Sequence, residues 1–102
     1  MLTSKQRAFL RSEASKADAL FQIGKGGVGD TVMQSVDQAL DARELIKLSV
    51  LDNSDEDPRE AAENMARETG AEVVSVIGRK IILFRESSRK EKRKISERLK
   101  DI

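Results

Sequence analysis

Apolar residues along the chain switch between helical spacing and strict alternation, and the switches mark out seven elements. From Leu2 to Ala17, Ala8, Phe9, Leu10, Ala14 and Ala17 recur near helical spacing, with Thr3 or Ser4 placed to cap a first helix. Leu20-Phe21-Gln22-Ile23 is a short strand ended by the glycine cluster from Gly24 to Gly29. Val32, Met33, Val36, Ala39 and Leu40 form the stripe of a second helix over about Asp30 to Asp41. Asp30 or Thr31 supplies its cap, and Thr31 with Gln34 matches a capping box. Glu44 to Leu51 alternates: Ile46, Leu48 and Val50 face one way, Lys47 and Ser49 the other. That strand implies a sheet covered on one side only.

Asp57-Pro58-Arg59-Glu60 is a helix start, with a capping Asp, Pro at the first position and Glu three residues after the cap. Ala61, Ala62, Met65, Ala66 and Thr69 make its buried stripe, and Gly70 stops it. Glu72 to Ile77 and Lys80 to Arg85 are strands joined by Gly78-Arg79, which fits a two-residue type II′ turn. The order α-β-α-β-α-β-β predicts an α/β fold. It is a compact two-layer sandwich with a mixed four-stranded sheet and the crossover helices on one face. Residues 1–86 form one domain. Residues 87–102 are a basic polar tail in which Ile95, Leu99 and Ile102 outline a weak helix, with disorder the alternative.

At 102 residues, 38% of them hydrophobic, the chain holds one modest core and no room for a catalytic domain beside a binding domain. With no cysteine it has no disulfide or thiolate metal site, and with no histidine it lacks the commonest general base and metal ligand. No apolar run approaches membrane-spanning length, so a cytoplasmic protein without a membrane partner is expected. Charge is balanced overall, 19 basic against 18 acidic residues, but it is segregated. Lys5, Arg7, Arg11, Lys16 and Lys25 dominate the start. Eight carboxylates from Asp52 to Glu72 face only Arg59 and Arg67, and Arg89, Lys90, Lys92, Arg93 and Lys94 crowd the tail. A chain so divided can fold with a basic face and an acidic face.

Candidate chemistry is concentrated in Gly24-Lys25-Gly26-Gly27-Val28-Gly29-Asp30-Thr31. Glycines between a strand and a helix let backbone amides approach a ligand closely, and the helix start adds unpaired N–H groups and positive dipole. Phosphate is the natural partner. A nucleotide-binding P-loop would need a lysine where this chain has Asp30, so a nucleotide cofactor is not expected. A GxxG clamp on a nucleic-acid backbone suits Gly24-Lys25-Gly26-Gly27 better, with Lys25 adding charge at the tip.

Several separated blocks extend that reading. Leu2-Thr3-Ser4-Lys5-Gln6-Arg7 with Phe9-Leu10-Arg11, then Phe21 to Val28, Ala42-Arg43-Glu44-Leu45-Ile46-Lys47, and Val76-Ile77-Gly78 leading to Ile82-Leu83-Phe84-Arg85 stand in one order. In these the chain resembles the CRM domain proteins (chloroplast RNA splicing and ribosome maturation), specifically the short bacterial YhbY-like members, over about residues 2–86. The resemblance implies a fold similar to the C-terminal domain of translation initiation factor three. It also implies RNA binding through the loop and neighbouring basic surface, and association with precursors of the large ribosomal subunit. Carried over by position, Gly24, Lys25, Gly26 and Gly27 bind RNA, and Lys5, Arg7 and Arg11 are candidates for the adjoining patch. The chain departs from the family in lacking a histidine and proline near the end of the first helix, and in its longer, mixed-charge tail.

The remaining constellations have structural readings. Phe9, Phe21 and Phe84 all sit in apolar patterns and are assigned to the core, which argues against base-stacking RNA readers. Asp55-Glu56-Asp57 is read as a solvated helix start and not a metal site, and Arg43 with Glu44 as a structural ion pair. The tail's basic cluster is either a second RNA contact or a solubilising tail. The expectation is a non-enzymatic RNA-binding protein with no catalytic residue, metal or cofactor, its oligomeric state open. The alternative is a small factor that docks a basic protein through the acidic third helix.

Overall fold

The computed structural model describes residues 2–52 and 54–102; Met1, the first residue of the expected domain, lies outside them. Its elements are α1 (Ser4–Ala14), β1 (Phe21–Ile23), α2 (Asp30–Arg43), β2 (Leu45–Val50), α3 (Pro58–Thr69), β3 (Glu72–Ile77), β4 (Lys80–Phe84), a 3₁₀ turn (Lys90–Lys92) and α4 (Ile95–Leu99). The predicted order α-β-α-β-α-β-β is present, and the sheet is mixed and four-stranded. Strands lie in the order β1-β2-β4-β3, with β1 parallel to β2 and the other pairs antiparallel.

Local chemistry sets most boundaries as the sequence implies. Thr3 Oγ1 accepts the Gln6 N–H at 3.1 Å and Gln6 Oε1 accepts the Thr3 N–H at 2.9 Å, a reciprocal capping box at α1. Asp57 accepts the Glu60 N–H at 3.3 Å at the start of α3, and Gly70 ends that helix with φ 75°. Gly78 takes φ 58° at the first turn position between β3 and β4, as a II′ turn needs. The start of α2 differs from expectation. Its cap is Gly29, and neither Asp30 nor Thr31 closes the helix end with its side chain. Both residues already lie inside the first turn, so the predicted capping box does not form.

The main core lies between the sheet and helices α2 and α3. Ile23, Ile46, Leu48, Val50, Ile81 and Leu83 project from the strands toward Val36, Leu40, Ala61, Ala62 and Met65. These are the two layers predicted. The opposite sheet face, expected open, is covered over half its length. There Leu10 and Ala14 of α1 and Leu99 of α4 pack with Val74, Ile82 and Phe84. The reason is visible along the strands. Outward residues are apolar at the Leu45–Phe84 end and become polar at Lys47, Ser49 and Lys80, so helices cover the first part and leave the second open. Phe84 is buried, and Phe9 and Phe21 are half-buried against the two cores.

A bulge in β3 completes this face. Val73 pairs with Leu83 and Ser75 with Ile82, leaving Val74 as the extra residue. The extra residue reverses the alternation beyond it, so Val76 packs into the main core while Ser75 and Ile77 fall on the second face.

The segment 87–102, for which the sequence left disorder and a weak helix open, packs onto the domain through Glu44. The Glu44 carboxylate is fully buried and accepts hydrogen bonds from the N–H groups of Ser87 (2.8 Å), Ile95 (2.9 Å) and Ser96 (3.0 Å) and from the Ser96 hydroxyl (2.6 Å). It thereby caps α4 from a distance. The expected Arg43–Glu44 ion pair is not made. Glu44 takes φ 68° at the end of α2, which turns its side chain inward, while Arg43 stays exposed. Asp41 accepts from the Ser88 N–H and hydroxyl, and Arg98 pairs with Glu13 at 2.7 Å while stacking over the Phe9 ring.

Candidate nucleic-acid interface

The glycine loop is a tight turn with a tethered base and an open tip. The Gly27 N–H donates to the Gly24 carbonyl at 3.0 Å, which places Lys25 and Gly26 at the apex. Gly27 has φ 69°, a conformation glycine adopts without steric cost. The next amide, of Val28, donates to Glu56 Oε1 at 3.2 Å, and Ser54 Oγ in turn accepts the Glu56 N–H at 3.1 Å. A methyl group at Gly27 would stand 2.7 Å from Glu56 Oε1, whereas one at Gly26 would meet nothing within 4 Å. The amides of Lys25 and Gly26 have no partner among the described residues, and both residues are exposed. Beyond the loop, α2 begins without a side-chain cap, so its first-turn amides are open as well.

The loop leaves β1 at the open end of the second sheet face. There Gln22, Ser49, Lys80 and Ile77 stand side by side across all four strands, and Lys47, Ile82 and Ser75 form the row behind them. Lys80 Nζ donates to Ser49 Oγ at 3.0 Å, and Lys47 reaches the Ala17 carbonyl at 3.5 Å. Helix α1 overhangs these rows with Arg11 and Ser15. The strip carries three cations, and no carboxylate lines it among the described residues.

The seven residues singled out from sequence divide on this framework. Gly24 to Gly27 form the turn and Lys25 its charged apex. Arg11 joins the open strip. Lys5 is exposed on the outer side of α1, opposite the buried Ala14. Arg7 is engaged elsewhere. Its guanidinium donates to the carbonyls of Val73 (2.6 Å) and Val74 (3.1 Å), satisfying backbone that the bulge frees at the far edge of the sheet. Lys47 and Lys80, outside those seven, stand in the same strip as Arg11. The alternation of β2 had put Lys47 on the outward face, but only the register with β4 brings Lys80 beside it.

The segregated charge along the chain is only partly carried into the fold, with Glu68 the one carboxylate of the acidic run in the most acidic cleft. Asp30, Asp37 and Glu68 line a cleft between α2 and α3, on the opposite side of the sheet from Lys47 and Lys80. Arg85 closes part of it, bonding Asp37 at 2.6 Å and the Thr69 carbonyl at 2.7 Å. The tail's basic residues sit at the Glu44 end of β2, about 20 Å of strand from the glycine loop. Arg89 pairs there with Asp41 at 3.4 Å, and Arg93 donates to the Ser87 carbonyl at 2.8 Å. Two carboxyls are acidified by their partners: hydrogen bonds from Lys16 and Arg98 lower Glu13, and bonds from the Ser88 amide and hydroxyl lower Asp41. Among the described residues no cluster of His, Cys, Asp or Glu is arranged to hold a metal, and no helix is long and apolar enough to cross a membrane.

A small α/β domain with a GxxG turn beside a basic sheet end is the class these features define. Residues 2–85 match the CRS1/YhbY (CRM) domain, and the chain belongs to that family. It is 47% identical over 87 residues to "Probable RNA-binding protein YqeI" of Bacillus subtilis, covering 85% of this chain and 91% of that protein. It is 41% identical over 86 residues to a protein of Methanocaldococcus jannaschii also named a probable RNA-binding protein, covering 82% of this chain and 63% of that one. The solution structure of a hypothetical protein from Staphylococcus aureus superposes with a TM-score of 0.73 at 46% identity, covering 88% of this chain and 94% of that one.

Proposed function

We propose that this protein is a non-enzymatic, cytoplasmic RNA-binding factor that contacts ribosomal RNA in precursor large subunits. Residues 1–86 are the binding domain and residues 87–102 an appendage of it. The observation that carries the RNA reading is the open apex of the Gly24–Gly27 turn. Two unpartnered amides and the Lys25 ammonium stand at the edge of a strip bearing Arg11, Lys47 and Lys80. Amides and a lysine can hold phosphate oxygens, and the flanking cations extend the contact along a backbone. The acidic cleft between α2 and α3 is unfavourable to RNA, which supports the cationic strip as the face that meets it. Family membership and the names of the relatives support the same partner. The large-subunit assignment rests on the resemblance to the YhbY-like members.

Gly26→Asp is the sharp test, because a side chain there meets nothing and the added carboxylate opposes phosphate at the apex. Gly27 is a poorer choice, since its φ of 69° and the adjacent Glu56 make any substitution a folding perturbation as well. Binding of ribosomal RNA fragments should fall at least tenfold in Gly26→Asp with unchanged thermal stability; equal affinity would refute the loop assignment. Sucrose-gradient fractionation tests the partner, with co-migration with precursor large subunits expected. A pool that stays free of ribosomal particles would remove that part of the reading.

A further inference from the structure

The open end of the second sheet face is more than a row of charges. Between the overhanging α1 and strands β2, β4 and β3 lies a groove of about 230 Å³, walled by Arg11, Lys47, Ser75, Ile77, Lys80 and Ile82. Its floor is apolar: Ile82 is buried at the bottom, and Ile77 stands at the rim, 67% exposed. Ile77 is the most exposed large hydrophobic residue among those described, and the bulge in β3 is what turns it to this side. A strip for phosphates alone would need neither the isoleucines nor the depth.

Resting on the RNA-binding reading above, we infer that this groove receives an unpaired nucleobase, and that the protein selects single-stranded RNA over duplex. A base packs its faces against Ile77 and Ile82, and the planar guanidinium of Arg11 can lie over it. Lys47 and Lys80 neutralise the phosphates on either side. The groove is smaller than the roughly 300–1,000 Å³ of pockets for drug-sized ligands, which suits one ring system and no more. A duplex keeps its bases stacked inside and offers only backbone and groove edges, so it cannot fill the site. Three cations, with no carboxylate among the described lining residues, complement a polyanion, and the groove is assigned to RNA on that ground.

The test compares a labelled, unstructured 12-nucleotide RNA with the same strand annealed to its complement, by fluorescence anisotropy. The wild type should prefer the single strand at least tenfold. Ile77→Ser should weaken single-strand binding about five- to tenfold and leave duplex binding unchanged; at 67% exposure the substitution spares the fold, which a thermal melt verifies. Lys47→Ala with Lys80→Ala should weaken it tenfold or more and reduce the salt slope by about 1.4, the loss of two single-strand phosphate contacts. Failure of the wild type to bind either RNA would overturn the RNA reading and this inference together. If the wild type binds and Gly26→Asp does not, equal affinity for strand and duplex, or indifference to the groove variants, overturns the groove alone. A dimer in sedimentation velocity that Ile77→Ser dissolves would assign the surface to self-association and overturn it too.

Discussion

The carboxylate of Glu56 accepts the backbone N–H of Val28 at 3.2 Å, and the same oxygen lies 2.7 Å from where a Cβ on Gly27 would stand. One acidic residue from the segment before α3 therefore holds the base of the glycine loop and leaves its apex alone. Glycine at 27 is required twice, by a φ of 69° and by this oxygen at 2.7 Å. Gly27→Ala should cost about 1–2 kcal/mol of folding stability from the backbone alone. Glu56→Ala should relieve the part of the damage due to crowding. A double-mutant cycle in urea should show a favourable coupling of about 0.5–1 kcal/mol; strictly additive losses would mean that the Glu56 side chain simply swings aside.

Arg7 and Arg11 sit one helical turn apart and should behave as opposites. Arg7 donates to the carbonyls of Val73 and Val74, so Arg7→Ala should lower stability by about 1–2 kcal/mol and leave RNA affinity within twofold. Arg11 is exposed on the open strip, so Arg11→Ala should leave stability within about 0.5 kcal/mol and weaken RNA binding several-fold. Denaturation and anisotropy on the same two proteins decide the matter. A loss of affinity in Arg7→Ala without a loss of stability would return Arg7 to the interface.

How far the fold was legible depended on whether its determinants were local. Asp57-Pro58-Arg59-Glu60 and Gly78-Arg79 act within four residues of chain and appear in the structure as their chemistry predicts, whereas the equally local Thr31–Gln34 box does not form because Gly29 caps α2. The bulge at Val74 has no such signature, because it exists only as a mismatch between β3 and β4. With it went any sequence clue that Ile77 would share a face with Lys80. The same limit hid the role of Arg7, whose charge looked available because the carbonyls it serves are 66 and 67 residues away. Glu44 was misread for a related reason: its neighbour Arg43 is adjacent in sequence, but its four donors come from the tail.

Buried and bonded to four donors, Glu44 is costly to replace. Glu44→Ala leaves the donors of Ser87, Ile95 and Ser96 without an acceptor and should destabilise the domain by about 3 kcal/mol or more. Glu44→Gly loses the same bonds and also removes the strain of a non-glycine residue at φ 68°, so it should be about 1 kcal/mol less damaging than Ala. That ordering is opposite to the helix-interior preference, in which Ala outranks Gly, and follows the glycine preference of positive-φ positions at helix ends. A less stable Gly variant in thermal or urea unfolding would show that the positive φ is not maintained at this position.

Acid should release the tail before it unfolds the sheet. Glu13, lowered from its ordinary 4.5 by hydrogen bonds from Lys16 and Arg98, and Asp41, lowered from 3.8 by the Ser88 amide and hydroxyl, both tie the C-terminal segment to α1 and α2. Each carboxyl binds a proton less readily in the folded protein than in the unfolded chain. Their stabilisation is thus fully present above about 4.5, declines as the pH falls below the ordinary values, and is gone below the depressed folded ones. Amide exchange read by NMR should show Ser88 and the α4 residues losing protection in this window while Leu48 and Ile81 of the central strands keep theirs. Glu13→Gln with Asp41→Asn should flatten the dependence and leave the tail equally loosened at neutral pH. Simultaneous loss of protection in tail and sheet would indicate that the segment 87–102 unfolds only with the whole domain.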